Sequence, residues 1–325
     1  MSRLSERRPG GWPVVIVAGP TGVGKTEVAL ALARTLSAEV ISADSRQIYR
    51  DLCVGTAKPR GAWVKTAGGP RYLVDGVVHH LIDHVSPEET YTAGRFVKEA
   101  RAVLEDLTRR GVPAVLAGGT GLYLRSLVRG LAALPEADPA IRKKLSERAE
   151  QEGRGALHAE LSRVDPGSAR AIPPNNLQRV IRAMEVYLIT GTPLSRLQKE
   201  GTHPAPWDFV WFGLRPDLKG YQERLDQRCK SMEQGILAET KALLERGLPP
   251  ASPAFQSLGY REAVAHIAGR STLDAFRRAL AAQTRPYAKR QLTWLRGEPG
   301  LSWLDIPLPP RPQETARLIL SLLGR

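Results

Sequence analysis

A chain of 325 residues, 42% hydrophobic and 25% charged, has the composition of a soluble globular protein with a sizeable core and room for about two domains. No apolar run approaches a membrane span; Met1 to Gly11 is polar and arginine-rich without an apolar h-region, so a frayed basic tail is expected there, not a secretory signal. The formal net charge of +14, from 47 Lys+Arg against 33 Asp+Glu, suits a polyanionic partner, nucleic acid first. The excess is uneven: Arg215 to Arg296 carries 15 basic and 8 acidic residues, a surplus of seven. Two cysteines, Cys53 and Cys229, without metal-ligand spacing suit a reducing cytoplasm better than a disulfide scaffold.

The first predicted element is a strand, Val14-Val15-Ile16-Val17-Ala18. It runs into Gly19-Pro20-Thr21-Gly22-Val23-Gly24-Lys25-Thr26, and a helix-forming run, Glu27 to Leu36, leads out. Strand, turn and helix with G-x-x-x-x-G-K-[ST] spacing form a phosphate-binding loop. The glycines let the backbone wrap with its N–H groups inward, and the helix adds the positive end of its dipole. Lys25 brings a mobile charge, and Thr26 a hydroxyl placed for Mg²⁺. The expected ligand is a di- or triphosphate, and the loop leaves open which.

The second strand, Ala38 to Ala43, delivers Asp44-Ser45-Arg46-Gln47-Ile48-Tyr49 to the same end of a parallel sheet, so Asp44 is expected at the phosphate site. Asp44 followed by Gln47 also resembles a capping box; base and cap both stay open. Gly55-Thr56-Ala57-Lys58-Pro59 reads as a loop, and Trp63 to Gly76 as irregular. His79, His80 and His84 lack metal-ligand spacing and are read as polar contacts. Tyr91 to Arg110 is an amphipathic helix. A third strand, Val112 to Ala117, ends in Gly118-Gly119-Thr120-Gly121-Leu122-Tyr123, where a motor or GTPase would carry an aspartate for Mg²⁺. Its absence favours phosphates bound as a leaving group over ATP hydrolysis.

From Leu134-Pro135 strands give way to charged helices as far as Gln198, opened by Asp138-Pro139 and Asp165-Pro166. This stretch reads as a helical insertion, about residues 134–200, between a first part of the core (13–133) and its remainder (201–305). Trp207 to Leu214 is a returning strand. Tyr221 to Glu245 is a long helix with Arg224 and Arg228 on one face. Gln256 to Glu262 turns into another helix. Asp274 to Leu295 is a basic helix, in which Pro286 should introduce a kink. A proline-rich tail and a short helix end the chain (306–325).

These motifs together resemble the tRNA dimethylallyltransferase family, the bacterial tRNA isopentenyltransferases. The likeness lies in Gly19–Thr26, Asp44–Tyr49, Gly55–Pro59, Gly118–Tyr123, Gln178–Glu185, Arg224–Met232, Gln256–Glu262 and Tyr287–Arg296, in the family's order over roughly residues 13 to 305. The resemblance implies an α/β fold, a P-loop NTPase-like parallel sheet flanked by helices with a helical insertion domain. It implies transfer of a dimethylallyl group from dimethylallyl diphosphate to the N6 amine of the adenine 3′-adjacent to the anticodon. Residues Gly19 to Thr26 and Arg228 would hold the diphosphate, with Thr26 on Mg²⁺ as the cofactor. Asp44 would be the general base, with Thr21 and Arg228 counted beside it as catalytic. Contacts to the tRNA anticodon stem-loop would come from Asp44, Ser45, Arg46, Gln47, Thr120, Arg142, Gln178, Arg179, Val180, Ile181 and Arg182. Further contacts would come from Gln256, Ser257, Leu258, Gly259, Tyr260, Arg261, Lys289, Arg290, Gln291, Leu292, Thr293, Trp294, Leu295 and Arg296. A cytoplasmic monomer away from membranes is expected. Two other readings fit a phosphate loop: a small-molecule or nucleoside kinase with Asp44 as base, and an RNA-binding protein that senses nucleotide without chemistry.

Overall fold

The computed structural model describes residues 12–324; the basic tail expected at 1–11 lies outside the described residues. β1 (Val14–Ala18) is buried along its whole length. Its unbroken apolar run follows from that position, because a central strand of a parallel sheet is covered on both faces. α1 (Lys25–Leu36) and β2 (Glu39–Ser42) follow, then β3 (Ala62–Thr66), β4 (Gly69–Val74) and β5 (Val77–His80). After α2 (Ala93–Arg110), β6 (Ala114–Gly118) and α3 (Gly121–Arg129), strands return only with β7 (Phe209–Pro216) and β8 (Leu301–Ile306). The eight strands form one sheet in the order β3-β4-β5-β2-β6-β1-β7-β8. The six strands from β5 to β8 in that order pair in parallel, while β3 and β4 are antiparallel. The expected α/β architecture with a parallel sheet is therefore present. β1 is flanked by β6 and β7, neither its neighbour along the chain, which makes its carboxyl end a topological switch point.

One expectation is corrected, one strand was not foreseen, and the helix expected to kink at Pro286 is continuous through it. The stretch Trp63 to Gly76, read as irregular, holds β3 and β4. Asp75 and Gly76 both have positive φ, 47° and 81°, and close the tight turn into β5. An Asp-Gly pair between apolar runs is the signal of such a hairpin. β8 was not foreseen; its Leu304 and Ile306 are buried while Ser302 and Asp305 are exposed, an edge-strand alternation cut short by Pro307. Pro286 does not interrupt α11 (Leu273–Arg296), which runs helical through it. Pro286 and Ala282, whose carbonyl the missing N–H would have served, are both exposed, so water can satisfy that carbonyl.

The chain divides into two compact units, one made of the residues up to Arg125 and from Pro206 on, the other Ser126–Ala205. In the first, α9 (Leu218–Glu245) has non-helical backbone at Lys219 and Gly220, so its regular body starts at Tyr221. α10 (Tyr260–Ile267), α11 and α12 (Pro312–Leu322) complete this unit. Val15 and Val17 of β1, Val28 and Leu32 of α1, and Ile319 of α12 share one core cluster.

The second unit contains α4 (Pro139–Gln151), α5 (Arg154–Val164), α6 (Pro166–Ala171), α7 (Leu177–Thr190) and α8 (Leu194–Gly201) around Leu145, Leu157, Leu161, Val180 and Met184. The Asp-Pro pairs start helices for a physical reason. Asp138 Oδ1 accepts the N–H groups of Ala140 and Ile141, Asp165 accepts that of Ser168, and the proline at N1 gives up an N–H that had no partner there.

Candidate active site

The loop after β1 needs its glycines. Gly22 and Gly24 have φ of 76° and 95°, in the left-handed region. Gly24 is the N-cap of α1 and offers no side chain to the first amides of the helix, which leaves them for an anion. The loop is braced from α9: Tyr221 Oη donates to the Thr21 carbonyl at 2.6 Å, and Arg224 Nε to the Gly22 carbonyl at 2.8 Å. Lys25 folds back onto its own loop, Nζ donating to the Pro20 carbonyl at 2.8 Å. Burial pushes its pKa down to about 8, against the opposing pull of Asp44. Arg228, one turn along α9 from Arg224, is likewise lowered by burial and makes no ion pair among the described residues.

The close of β2 against β6 places Asp44. A Cβ at Gly118 would lie 2.1 Å from the Ala43 carbonyl oxygen, so glycine alone permits that approach. Thr120 then holds the turn, its N–H donating to Ala43 O at 3.2 Å and its Oγ1 accepting the Ser45 N–H at 2.9 Å. Asp44 Oδ1 accepts the N–H groups of Arg46 (2.8 Å) and Gln47 (3.3 Å). Asp44 therefore caps a turn and not a helix: residues 45–48 form a turn, and the Gln47 side chain reaches Thr56 and Ala57 instead of returning to Asp44, so the capping box the sequence resembles is not formed. Oδ2 takes no protein hydrogen bond among the described residues, and Asp44 lines the same cavity as Thr21, Lys25, Thr26 and Arg228. That cavity has a volume of about 700 Å³ and passes from this charged end to Met232, Ile236, Leu258 and Leu280.

The stretch Gly55–Pro59 forms one cavity wall and is fixed from several sides. Gln47 Nε2 donates to the carbonyls of Thr56 and Ala57. Tyr260, fully buried, accepts the Gly55 N–H at 2.9 Å and donates to Glu239, which also takes the amides of Cys53 and Val54. Lys58 is buried on Asp83 and the Tyr49 carbonyl. The Tyr260–Glu239 latch leaves no trace in the sequence, because its members are distant in the chain and of common types. Tyr221 is similarly silent, while Arg224 was visible as the i, i+4 partner of Arg228 but without its role in bracing the loop.

The residues assigned to tRNA by resemblance fall into different places. Arg46, Gln47, Gln256, Leu258, Arg261 and Arg290 line the cavity. Ser257 lines it too, with a buried hydroxyl that has no hydrogen-bond partner among the described residues, and Gly259 (φ 86°) is the N-cap of α10. On α11, Lys289, Arg290, Thr293 and Arg296 are exposed, whereas Gln291, Leu292 and Leu295 are buried. Trp294 lies under the Arg125 guanidinium at 4.2 Å and against Gly121, where a Cβ would come within 2.1 Å of its ring. Gln291 Oε1 accepts the Thr21 N–H at 2.8 Å, and its Nε2 donates to the Gly119 carbonyl at 3.1 Å.

In the helical unit Gln178 and Arg179 are exposed, and Val180 and Ile181 are core. Arg142 and Arg182 both reach the fully buried Glu185. Burial raises the Glu185 carboxyl, but the two guanidinium groups and the Asp138 N–H outweigh it and hold its pKa below the usual range.

His79, His80 and His84 do not converge: His79 meets the Val77 carbonyl, His80 meets Glu39 and His84 meets Glu99. Among the described residues no three His, Cys, Asp or Glu side chains could hold a metal ion. Cys53 and Cys229 are free thiols, and no helix among the described residues is long and apolar enough to cross a membrane.

A largely parallel sheet, a phosphate loop at its switch point, and a cavity that brings Lys25, Arg228 and the Asp44 carboxylate together define a phosphate- or diphosphate-handling α/β protein. Residues 47–298 match the IPP transferase family. The chain belongs to that family. A tRNA dimethylallyltransferase of Geobacter sulfurreducens is 40% identical over 296 residues, 90% of this chain and 92% of its own. Among solved structures, the full-length tRNA isopentenylpyrophosphate transferase of Bacillus halodurans is similar with a TM-score of 0.65 and 35% identity, covering 96% of this chain and 97% of its own. A eukaryotic dimethylallyltransferase acting on tRNA is similar with a TM-score of 0.71 and 28% identity, over 90% of this chain and 73% of its own.

Proposed function

We propose that this chain is a prenyltransferase acting on tRNA. It moves a dimethylallyl group from dimethylallyl diphosphate to the N6 amine of the adenine 3′-adjacent to the anticodon, in tRNAs reading codons that begin with U, and releases diphosphate. One observation carries the reading: Lys25, Arg228 and Asp44 line a single cavity that also has an apolar end. The cations suit a diphosphate, the apolar end a five-carbon chain, and the carboxylate an amine that must lose a proton.

The chemistry follows from these groups. The allylic C1–O bond breaks with its electron pair leaving on diphosphate, and Lys25 and Arg228 neutralise the charge that develops there. Lys25 leaves the Pro20 carbonyl to do so. The Thr21 hydroxyl, which takes no protein hydrogen bond among the described residues, adds a donor to the same oxygens. The N6 lone pair forms the new C–N bond, and the proton that makes the nitrogen cationic passes to Asp44 Oδ2. The adenine must leave its stack to reach the cavity. Mg²⁺ keeps several waters and substrate oxygens and needs only one or two protein ligands, so the Thr26 hydroxyl in the cavity wall fits it. When bound it would add Lewis-acid stabilisation of the diphosphate.

The test offers the protein tRNA with either label: dimethylallyl diphosphate labelled in the prenyl group, or ATP labelled in the γ-phosphate. The expected result is prenyl label in tRNA and unmoved γ-phosphate. Phosphoryl transfer without prenyl transfer would establish a kinase instead, and turnover of neither would leave a nucleotide-sensing protein.

A further inference from the structure

We infer that Gln291 is a positioning residue that locks the donor-binding loop in register with the turn carrying Asp44. Its primary amide sits between the two. The Thr21 N–H donates to Oε1 at 2.8 Å, and Nε2 donates to the Gly119 carbonyl at 3.1 Å. Thr120, next in the chain, accepts the Ser45 N–H and donates to the Ala43 carbonyl. Asp44 stands between those two bonded residues. A continuous hydrogen-bonded chain therefore runs from the diphosphate loop through one side chain to the backbone on either side of the base.

The geometry demands this residue type. Donor and acceptor must both reach from α11, so glutamate, which lacks the donor, and methionine, which lacks both, cannot replace it. The approach is close: a Cβ at Gly119 would lie 2.2 Å from Gln291 Nε2. The side chain is largely buried, although it also lines the cavity, so losing the bond to either partner leaves a poorly satisfied polar group. Thr21 is held on its other side by Tyr221, whose hydroxyl donates to its carbonyl. The Thr21 peptide is thus clamped between α9 and α11, and its N–H serves the brace rather than phosphate. In a transfer reaction, the reacting carbon is placed by the loop and the proton acceptor by the Asp44 turn. Gln291 sets the distance between them, although the resemblance places it among residues that touch tRNA.

This inference rests on the transfer reaction proposed above. Gln291→Met and Gln291→Glu conserve volume. Both should lower the single-turnover rate by about 10–100-fold, the scale of a misplacement of about 1 Å, while tRNA affinity stays within about threefold. Misalignment should also change the fate of the donor: more of it should react with water, giving dimethylallyl alcohol and diphosphate, per prenyl group placed on tRNA. A purely structural role would reduce active enzyme without changing that ratio. Amide hydrogen exchange of the peptide containing Thr21 should be faster in Gln291→Met, and this arm needs no turnover. If wild type transfers nothing, the reaction assignment fails and the exchange arm still tests the brace. Should the Gln291 variants not fold, Thr120→Val breaks the chain at its other end and should show the same shift toward alcohol. A folded Gln291→Met with a rate within twofold of wild type, unaltered exchange or an unaltered alcohol ratio would overturn the inference. So would a rate loss fully matched by lost tRNA affinity, which would make Gln291 a tRNA contact.

Discussion

Asp44 has one carboxylate and two tasks, and its oxygens separate them. Oδ1 accepts two backbone amides that shape the turn, and Oδ2 takes no protein bond among the described residues. Asp44→Asn keeps the amide acceptor and removes the base. It should retain the wild-type melting temperature and lose roughly 10²–10⁴ in the single-turnover rate; a loss under about tenfold would reduce Asp44 to its cap. Asp44→Ala removes both functions and should also lower stability by about 1 kcal/mol. Lys25 gives a pH signature. With its pKa pushed down to about 8 by burial, the free protein carries this charge below pH 8 and sheds it above. Second-order turnover of the donor should therefore fall as pH rises through about 8, and Lys25→Ala should lack that limb at a lower plateau. Stability should move the opposite way: an unfolded lysine holds its proton to higher pH, so the empty protein gains stability from pH 8 toward 10.5. A donor profile flat from pH 7 to 9 would remove Lys25 from the diphosphate.

Elements show where the sequence was legible. β1, the glycine loop and α1 could be read because their signals are local: an apolar run, fixed glycine spacing and a helix-forming stretch. The Asp-Pro helix starts were readable for the same reason. Asp75-Gly76 was an equally local signal, passed over because Trp63 and Val64 stand on an exposed edge strand without apolar alternation. The site was legible as a list of residues and not as directions. In Lys289–Arg296, period 3.6 sends Lys289, Arg290, Thr293 and Arg296 outward and Gln291, Leu292 and Leu295 inward. Contacts such as Tyr260 on Glu239 or Gln291 on Thr21 depend on how distant segments pack, which no local pattern encodes. The helical unit offers a test of one such contact. Glu185, buried in α7, collects Arg142 from α4, Arg182 and the Asp138 N–H. Glu185→Gln should cost roughly 1.5–3 kcal/mol in denaturant unfolding, the range for hydrogen bonds to a charged group. Because the folded-state pKa is depressed, this stabilisation is present above the ordinary glutamate range and lost as pH falls below it. The mutant's deficit should therefore shrink between pH 7 and pH 3, and a deficit independent of pH would mean that charge is not its source.

For the whole molecule the relevant quantity is charge, and the structure sorts it. Several cations between Arg215 and Arg296 are answered locally: Arg277 by Glu233 and Arg285 by Asp226 within the stretch, and Arg215 by Asp305 and Arg246 by Asp51 from outside it. Lys289, Arg290 and Arg296 have no such partner among the described residues, and α11 continues as a helix through Pro286 to present them on its exposed face. A polyanion binding this face releases counterions, so log K for tRNA should fall linearly with log salt. Each cation that neutralises a phosphate should reduce the slope by about one when removed. Lys289→Ala is the cleanest variant: Arg290 also lines the cavity and could alter donor binding, whereas Lys289 does not. It should flatten the slope by about one and leave donor affinity, measured without tRNA, unchanged. Arg285→Ala removes the same formal charge from the same helix, but one already paired, and should leave the slope nearly as it was. Trp294 already carries the Arg125 guanidinium over its ring and packs against Gly121, so its main part is expected to be packing and not stacking on a base. Trp294→Ala should therefore cost stability before it costs tRNA affinity. Equal slope changes for Lys289→Ala and Arg285→Ala would mean that net charge alone attracts tRNA. No change for Lys289→Ala would mean that this face of α11 meets only solvent.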